Sequence, residues 1–401
     1  MNQIGIVAYT AERKRGLVVI HKAYAGREET LATKDWEELV NFLTEDKGVA
    51  IHICYSLDYF TEDIFSLLPQ RIKKELAKKT RVFYGDTKIF STDRMLGLTV
   101  TRQLNGNFYR KAENNFYGIS RWLPDSKPLA TCKEIEQLGN EIITGLEKLN
   151  IYTNKLTSPV GVFTNSLDWE SLPTIYNFNL DYLEVMNWAK EVAGYEWREK
   201  FKHSGYAFTY DLTSAYGSIM ATLPDTRHGT VSRKRGNHQW GICKATVSPS
   251  SQSGVLPIDK DARYFTTEEI DWVEKHTGGH FELSDGYYFN FNGGQPYQPI
   301  IDNLFAARQN GDIMTANLAK RIVNGLSGKL DQENFDGSMG ELYNPILALM
   351  VRSRSRLKVA DFIYNNDLQD SLIEVLVDSV TTTKKLDLPI ASKPGEWRLV
   401  E

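Results

Sequence analysis

The first part of the chain alternates between strand-like and helix-like patterns of apolar residues. The segments "IGIVAYTA" (4–11) and "GLVVIHKAY" (16–24) are rich in β-branched residues, which predicts two strands paired as a hairpin. A helical spacing follows in "DWEELVNFLTED" (35–46), and "VAIHICYSL" (49–57) has the apolar pattern of a buried strand. This order of elements predicts an α/β domain.

Two further helical patterns continue this domain. In "CKEIEQLGNEIITGLEKLN" (132–150) apolar residues recur every three or four positions, and another helical region follows "TSPVGVF" (157–163) and ends near Glu191. We therefore predict a first domain over 1–190 and a second over 191–401, in a protein of the α+β class.

The second part mixes strands with helices. In "GYAFTYDLTSAYGSIMATLP" (205–224) an alternating strand runs up to Asp211 and is followed by a helix-like stretch. Beyond it the patterns predict a β-rich section with many turns (229–292), a helix pair around Asn-Gly-Asp (310–312), a long helix (344–366) and a hairpin in "LIEVLVDSVTTTKK" (372–385).

The composition of the 401 residues is that of an ordinary globular protein. No apolar run approaches the roughly 18 residues of a membrane span, and the start, "MNQIGIVAYTAERKRG", lacks a cleavable apolar core. We expect a soluble protein of the cytoplasm, or of the host cytoplasm if the chain is viral, with no membrane partner. The three cysteines are widely spaced, which argues against a disulfide framework and a structural zinc site.

Basic residues are concentrated in three runs, although the formal net charge is −4. The runs are "RIKKELAKKTR" (71–81), "RHGTVSRKRGNH" (227–238) and "RSRSRLK" (352–358). Each run is either a stripe that faces nucleic-acid phosphates or a solvated helix face or loop, and the pattern leaves both open.

Two aspartates stand out because each lies at the end or turn of a predicted strand. Asp378 is surrounded by valines and threonines, where a carboxylate is costly to bury unless a cation binds it. If one sheet brings Asp211 and Asp378 together, they repel each other unless they share divalent cations. Mg²⁺ prefers such oxygen ligands, and a carboxylate pair can hold two ions about 4 Å apart. Ordinary turn and cap roles are the alternative.

The helix pair carries a second group of candidates. Lys320 and Asn324 share one helix face in "AARQNGDIMTANLAKRIVNGLSGKL" (306–330), and Arg308 projects from the preceding helix. Arginine and lysine that converge on one groove bind a triphosphate, whereas the alternative is a solvent-facing basic helix. Gly325 favours the first hypothesis, since glycine weakens an exposed helix but permits close approach of a ligand.

Three segments, in this order, resemble the polymerase motifs of family B DNA polymerases. They are "YDLTSAYGSIM" (210–220), "KRIVNGLSG" (320–328) and "VLVDSVTTTK" (375–384), and the family motifs are written DxxSLYPSI, KxxxNSxYG and YxDTDS. The resemblance extends over about 195–401 and is closest to the organellar and viral branch, which includes the protein-primed enzymes. It implies a polymerase palm with helical fingers at about 296–330.

By this resemblance, Asp211 and Asp378 are the catalytic, metal-binding carboxylates of the palm, with the Leu212 carbonyl as a further ligand of two Mg²⁺ or Mn²⁺ ions. Tyr216 is the residue that packs under the incoming sugar and excludes a 2′-hydroxyl.

By the same resemblance, Arg308 and Lys320 in the fingers would hold the triphosphate, and Asn324 would lie beside the nascent base pair. The residues expected to contact nucleic acid are Arg352, Arg354, Arg356, Lys358 and Lys384.

The chain departs from the family motifs at several positions. Gly217 replaces a proline, Gly325 and Ser327 replace a serine and a tyrosine, and Leu376 replaces the first aspartate of the third motif. Fidelity or sugar selection is therefore expected to be altered. Asp378 corresponds to the stronger of the family's two metal-binding aspartates in that motif, so activity and a degenerate, non-catalytic fold both stay open.

The regions on either side of these motifs also depart from the family. No thumb candidate follows the third motif, so we expect either a second polypeptide that supplies the thumb or weak, poorly processive DNA binding. The first domain resembles the family's proofreading exonuclease at "IHICYSLDYF" (51–60) and "FYGISRWLP" (116–124). That exonuclease needs four metal-binding carboxylates, and in this chain only Glu12 and Asp58 correspond to any of them. We expect a ribonuclease-H-like scaffold without proofreading.

The predicted function is a template-directed DNA polymerase that adds dNTPs to the primer 3′ end of a DNA primer-template. The alternative is a polymerase-fold subunit that has lost its chemistry and binds nucleic acid or a partner polypeptide. A third hypothesis is an enzyme that makes RNA primers, against which Tyr216 argues.

Overall fold

The computed structural model has the mixed α+β architecture that the sequence predicts. It divides into two compact units, one formed by 1–167 and 307–321, the other by 168–306 and 322–401. The first division therefore lies near 167, whereas the sequence suggested a boundary near 190. The residues described are 5–45, 50–104, 107–122, 131–174, 183–193, 195–237, 239–248, 256–259, 261–291, 293–334, 337–391 and 393–400.

The first unit is built on an eight-stranded sheet. Its strand order is β3-β2-β1-β4-β8-β7-β6-β5. Strand β4 is parallel to both of its neighbours, β1 and β8. The predicted β1–β2 hairpin is confirmed. The strands are β1 (Gly5–Lys14), β2 (Leu17–Tyr24), β3 (Arg27–Thr33), β4 (Ala50–Cys54), β5 (Arg81–Tyr84), β6 (Thr87–Ser91), β7 (Leu96–Leu104) and β8 (Asn107–Gly118).

Strand β3 has no apolar alternation in its sequence, "REETLAT", because it is a largely exposed edge strand. Periodicity alone could not predict it, since only its pairing with β2 defines it.

Five helices of the described part of 1–167 accompany this sheet, and side-chain caps mark the starts of three of them, α1, α4 and α5. Asp35 accepts hydrogen bonds from the first-turn N–H groups of Glu37 and Glu38, and Thr131 forms a capping box with Glu134. The predicted helices near 35–46 and 132–150 are confirmed. The helices are α1 (Trp36–Thr44), α2 (Leu57–Ile64), α3 (Gln70–Leu76), α4 (Cys132–Lys148) and α5 (Pro159–Ser166).

The second unit contains two antiparallel sheets, with orders β17-β10-β16-β15-β9 and β11-β14-β12-β13. The predicted hairpin near the C-terminus is β15–β16. The strands are β9 (Arg198–Lys200), β10 (Phe208–Leu212), β11 (Thr230–Ser232), β12 (Trp240–Ser248), β13 (Tyr264–Thr266), β14 (His280–Asn290), β15 (Leu372–Leu376), β16 (Ser379–Thr382) and β17 (Trp397–Leu399).

The helices from here on are α6 (Leu183–Ala193), α7 (Ala215–Met220), α8 (Thr267–Thr277), α9 (Gln298–Asn310), α10 (Ile313–Leu326) and α11 (Pro345–Asn365). Helices α9, α10 and α11 confirm the predicted helix pair and long helix. Helix α8 was not predicted, because it interrupts a section whose flanking strands dominate the pattern; it begins at a capping box of Thr266 and Glu269. Among the described residues, no helix combines the length and apolar character that crossing a bilayer requires.

A buried ion pair joins α11 to α8. Arg356 is 3% exposed and donates from Nη2 to Oε1 of Glu269, which is fully buried. Arg356 also donates from Nη1 to the carbonyl of Tyr195 (3.0 Å) and from Nε to that of Pro257 (3.2 Å). Each charge in the interior is thus compensated, as buried charges require.

Candidate functional site

The second unit brings the two predicted aspartates together. Strand β10 pairs with β16 so that Asp211 is opposite Ser379, the neighbour of Asp378. The backbone N–H of Leu212 donates to the carbonyl of Asp378 at 3.0 Å. Asp211, Leu212 and Asp378 therefore lie close together at one end of the paired strands β10 and β16, inside the five-stranded sheet.

The electrostatics of this pair are those of two like charges in a partly buried place. Burial raises the pKa of the Asp378 carboxyl above its ordinary value, and the nearby Asp211 raises it further. The site thus favours a positive partner for Asp378, because such a partner would offset both effects.

Asp378 lies in a strained hairpin turn between β15 and β16. Val377 has φ of 60°, in the left-handed region, where a β-branched residue is strained by about 1–3 kcal/mol. The turn is held by the Val377 N–H, which donates to the carbonyl of Trp197 (3.0 Å), and by the Ser379 hydroxyl, which donates to the carbonyl of Leu376 (3.1 Å). Backbone strain of this kind is concentrated at functional sites.

Tyr216 lies in α7, which starts directly after β10. Burial raises the pKa of its phenol, and Asp378 raises it further, so the ring is within electrostatic range of that carboxylate. The chain turns from strand to helix through Ser214, whose φ is 47°. The half-buried Tyr216 side chain is thus in the same unit as the two aspartates, in the helix that directly follows the strand of Asp211.

The close packing around residue 217 explains why this chain has glycine where the family motif has proline. A Cβ atom at this position would clash with the side chain of Val323 in α10 and would lie 3.2 Å from the ring of Phe305 in α9. A proline or any larger residue at 217 would therefore push α7 away from these helices.

We predict that Gly217→Ala lowers the free energy of unfolding by about 1–3 kcal/mol, because α7 or α10 must shift to make room for the methyl group. Urea denaturation of the full chain measures this. Gly328→Ala is the matched control, since nothing lies within 4 Å of a Cβ there, and it should change stability by less than about 0.5 kcal/mol. Equal effects of both substitutions would contradict the prediction.

The residues predicted to bind the nucleotide are divided between the two units. Asn324 is exposed in α10 and belongs to the same unit as Tyr216 and the aspartates. Arg308 and Lys320 lie in 307–321 and belong to the first unit, where Lys320 is exposed and Arg308 half-buried. Their role at the triphosphate stays a prediction.

The basic run in α11, 352–358, does not form a single stripe that faces nucleic-acid phosphates. Its arginines contact different neighbours. Arg352 pairs with Asp331, and Arg354 donates from Nε (3.1 Å) and Nη2 (2.9 Å) to Oε1 of Glu268. Arg356 is buried in the interior and is not accessible to phosphate. Alternate residues of a helix point in different directions, so the run serves several neighbours.

The two predicted lysines are held by neighbouring polar groups. Lys358 donates to the Ser218 hydroxyl at 3.4 Å, and burial lowers the pKa of its amine. Lys384 is exposed and donates to the carbonyl of Asn366 at 2.7 Å. A nucleic-acid contact stays a prediction for both.

The two residues predicted to match exonuclease carboxylates lie in different elements of the first unit. Glu12 lies in β1, 3.9 Å from Nε2 of His21, and Asp58 is exposed in the first turn of α2. Throughout the part of the chain that the structure describes, no three His, Cys, Asp or Glu side chains converge to hold a metal. The lack of proofreading stays a prediction.

Sequence reasoning missed Arg398, which contacts a candidate catalytic residue. It lies in β17 opposite Asp211 and donates to Oδ2 of that residue from Nη2 (2.8 Å) and Nε (3.2 Å). Strand β17 is only three residues long, so its alternation is too short to be found by pattern.

Comparison with known proteins identifies the fold. No family model and no curated protein matches the sequence. A structure of phi29 DNA polymerase complexed with single-stranded DNA has a TM-score of 0.66 at 12% identity, over 99% of this chain and 84% of that one. Phi29 DNA polymerase complexed with primer-template DNA and incoming nucleotide substrates has a TM-score of 0.65 at 13% identity, over 98% and 83%. The chain therefore has a DNA-polymerase-like fold.

Proposed function

We propose that this chain is a template-directed DNA polymerase that adds dNTPs to the 3′ end of a DNA primer. The observation that carries this proposal is the juxtaposition of Asp211 and Asp378 at one end of the paired strands β10 and β16, with Tyr216 in the helix that follows β10, in a fold shared with phi29 DNA polymerase. These residues are the ones that the family B motifs assign to the metals and the sugar.

In this proposal the sheet β17-β10-β16-β15-β9 is the palm and 296–330 the fingers. The eight-stranded sheet belongs to a ribonuclease-H-like, exonuclease-type domain without proofreading activity. The proposal includes either a second polypeptide that grips the primer duplex or weak, poorly processive DNA binding by this chain alone.

The donor set fits divalent ions, because two adjacent carboxylates are available and the surroundings of Asp378 disfavour its uncompensated charge. Asp211, Asp378 and the Leu212 carbonyl would hold two Mg²⁺ or Mn²⁺ ions. When bound, such ions supply Lewis-acid activation of the primer hydroxyl and neutralise the leaving pyrophosphate.

The chain's own residues would position the reactants. The primer 3′-oxygen forms a bond to the α-phosphorus of the dNTP, the bond from that phosphorus to the bridging oxygen of pyrophosphate breaks, and the hydroxyl proton leaves to solvent. Arg308 and Lys320 would hold the triphosphate, and the Tyr216 ring would fix the sugar. Catalysis of this kind consists of positioning and charge stabilisation.

Extension of a labelled primer on a short template, with Mg²⁺ or Mn²⁺, tests the proposal. Products should stop where a withheld dNTP is next required by the template. Products that ignore the template sequence would contradict it.

A second candidate function is a polymerase-fold subunit that binds DNA without chemistry. Two observations favour it: Leu376 stands where the family has its first aspartate of the third motif, and Arg398 contacts Asp211. DNA binding that weakens with salt, without any primer extension, would support this function over the first.

We predict that Tyr216→Ala raises incorporation of ribonucleotides relative to deoxynucleotides by about ten-fold or more, because removing the ring opens space for a 2′-hydroxyl. Competition between NTPs and dNTPs in single-nucleotide extension measures the ratio. Tyr206→Ala is the control, since Tyr206 is 91% exposed in a loop before β10. An unchanged ratio in Tyr216→Ala would show that this residue does not select the sugar.

A further inference from the structure

The guanidinium of Arg398 occupies part of the candidate metal site. Arg398 and Asp211 are directly opposite in the antiparallel pair β17–β10, which places both side chains on the same face of the sheet. Both Nη2 and Nε donate to one oxygen, Oδ2 of Asp211, at 2.8 and 3.2 Å. One of the two carboxylates proposed to bind metal is thus already paired with a positive group.

This contact is accessible to solvent and therefore reversible. The side chains of Arg398 and Asp211 are 52% and 26% exposed. An exposed ion pair contributes little to stability, so breaking it has a small cost. Arg398 can leave Asp211 without disturbing the fold.

A divalent ion and Arg398 compete for the same carboxylate. A metal that coordinates Oδ2 takes the lone pairs that now accept two hydrogen bonds. A metal that binds the other oxygen would lie close to a guanidinium of the same sign, which repels it. In either case Arg398 opposes cation binding.

We propose that Arg398 is an internal competitor for divalent cations at Asp211. It pairs with that carboxylate while no metal is bound, and it moves away when the ion enters. Arg398 is a positioning residue that sets the metal affinity of the site. This inference rests on the proposed function, because it takes Asp211 and Asp378 as the metal ligands.

Binding of Mn²⁺ to the full chain, followed by electron paramagnetic resonance of the free ion, tests the inference without measuring activity. Arg398→Gln should bind Mn²⁺ about five- to twenty-fold more tightly than the unsubstituted chain, as expected for removing a unit positive charge about 5 Å from a divalent ion in water-like surroundings. Arg398→Lys keeps the charge and should bind nearly as the unsubstituted chain does.

Two controls separate the local effect from general ones. Lys200→Gln removes one positive charge from the same sheet, at an exposed lysine of β9 that pairs with Glu374, and should leave Mn²⁺ affinity unchanged. Asp378→Asn identifies the binding that belongs to this site. Thermal unfolding checks that each variant is folded, and Arg398→Ala replaces Arg398→Gln if the latter is not.

The outcomes distinguish this inference from the proposed function. Asp378-dependent binding that Arg398→Gln leaves equal or weakens would overturn the inference and leave the proposed function standing. An absence of Asp378-dependent binding in every variant would overturn both. Asp378-dependent Mn²⁺ binding that is tighter in Arg398→Gln, but not in Arg398→Lys or Lys200→Gln, would support both the inference and the proposed function.

Discussion

Asp378→Asn is expected to lower the rate of primer extension by about a hundred- to a thousand-fold, because it removes a carboxylate proposed to hold the catalytic ions. Single-turnover extension with Mg²⁺ and with Mn²⁺ measures the rate. The same substitution should leave the free energy of unfolding unchanged or raise it.

The expected effect on stability follows from the raised pKa of Asp378. A group whose pKa is raised by folding stabilises the fold in its protonated form, and this contribution is lost as the pH rises through the folded-state pKa. At neutral pH the ionised carboxylate is therefore unfavourable, and asparagine removes that cost. The stability difference between the two proteins should shrink as the pH falls below the ordinary aspartate range.

Glu374→Gln is the matched control for Asp378→Asn. It removes a half-buried carboxylate from the same hairpin, where Glu374 lies 3.5 Å from Lys200. Extension by Glu374→Gln should equal that of the unsubstituted chain. If Asp378→Asn extends primers at the normal rate, the proposed role of Asp378 is wrong, whereas loss of activity together with lost stability would indicate misfolding.

Arg356→Ala is expected to lower the free energy of unfolding by about 3–5 kcal/mol, because it leaves Glu269 charged and buried without its partner. This is a large part of the 5–15 kcal/mol typical of whole proteins. Equilibrium unfolding in urea, followed by circular dichroism, measures the change.

Arg354→Ala provides the comparison for Arg356→Ala. Arg354 is two residues away in α11 and pairs with Glu268, but both side chains are partly exposed, so the loss should be below about 1 kcal/mol. Arg356→Met combined with Glu269→Gln removes both charges and should recover part of the stability lost by Arg356→Ala. If Arg354→Ala and Arg356→Ala lower the free energy of unfolding equally, the greater importance of the buried ion pair for stability is wrong.

The predictions for Asp378 and Arg356 assign these two charged residues of the second unit to different roles. Asp378 is expected to affect activity more than stability, and Arg356 stability more than activity. A contact of Arg356 with nucleic acid, suggested by the composition of 352–358, does not fit its burial. The pattern of charges could not distinguish these roles because burial depends on which face of α11 meets α8.

The sequence by itself determined much of the local structure and the choice of the candidate site. Apolar periodicity predicted the β1–β2 hairpin, the helices α1, α4 and α11 and the β15–β16 hairpin, because these signals depend on near neighbours in the chain. Motif order singled out Asp211, Tyr216 and Asp378.

Only the tertiary structure decided how distant segments meet. The pairing of β10 with β16 and β17 places Asp211 next to Asp378 and opposite Arg398, although 187 positions separate Asp211 from Arg398. Pairing of this kind depends on sheet register and on contacts across the fold, which leave no periodic signal in a three-residue strand such as β17. The same reason hid the burial of Arg356, since a helix presents its side chains in all directions and only packing selects the buried face.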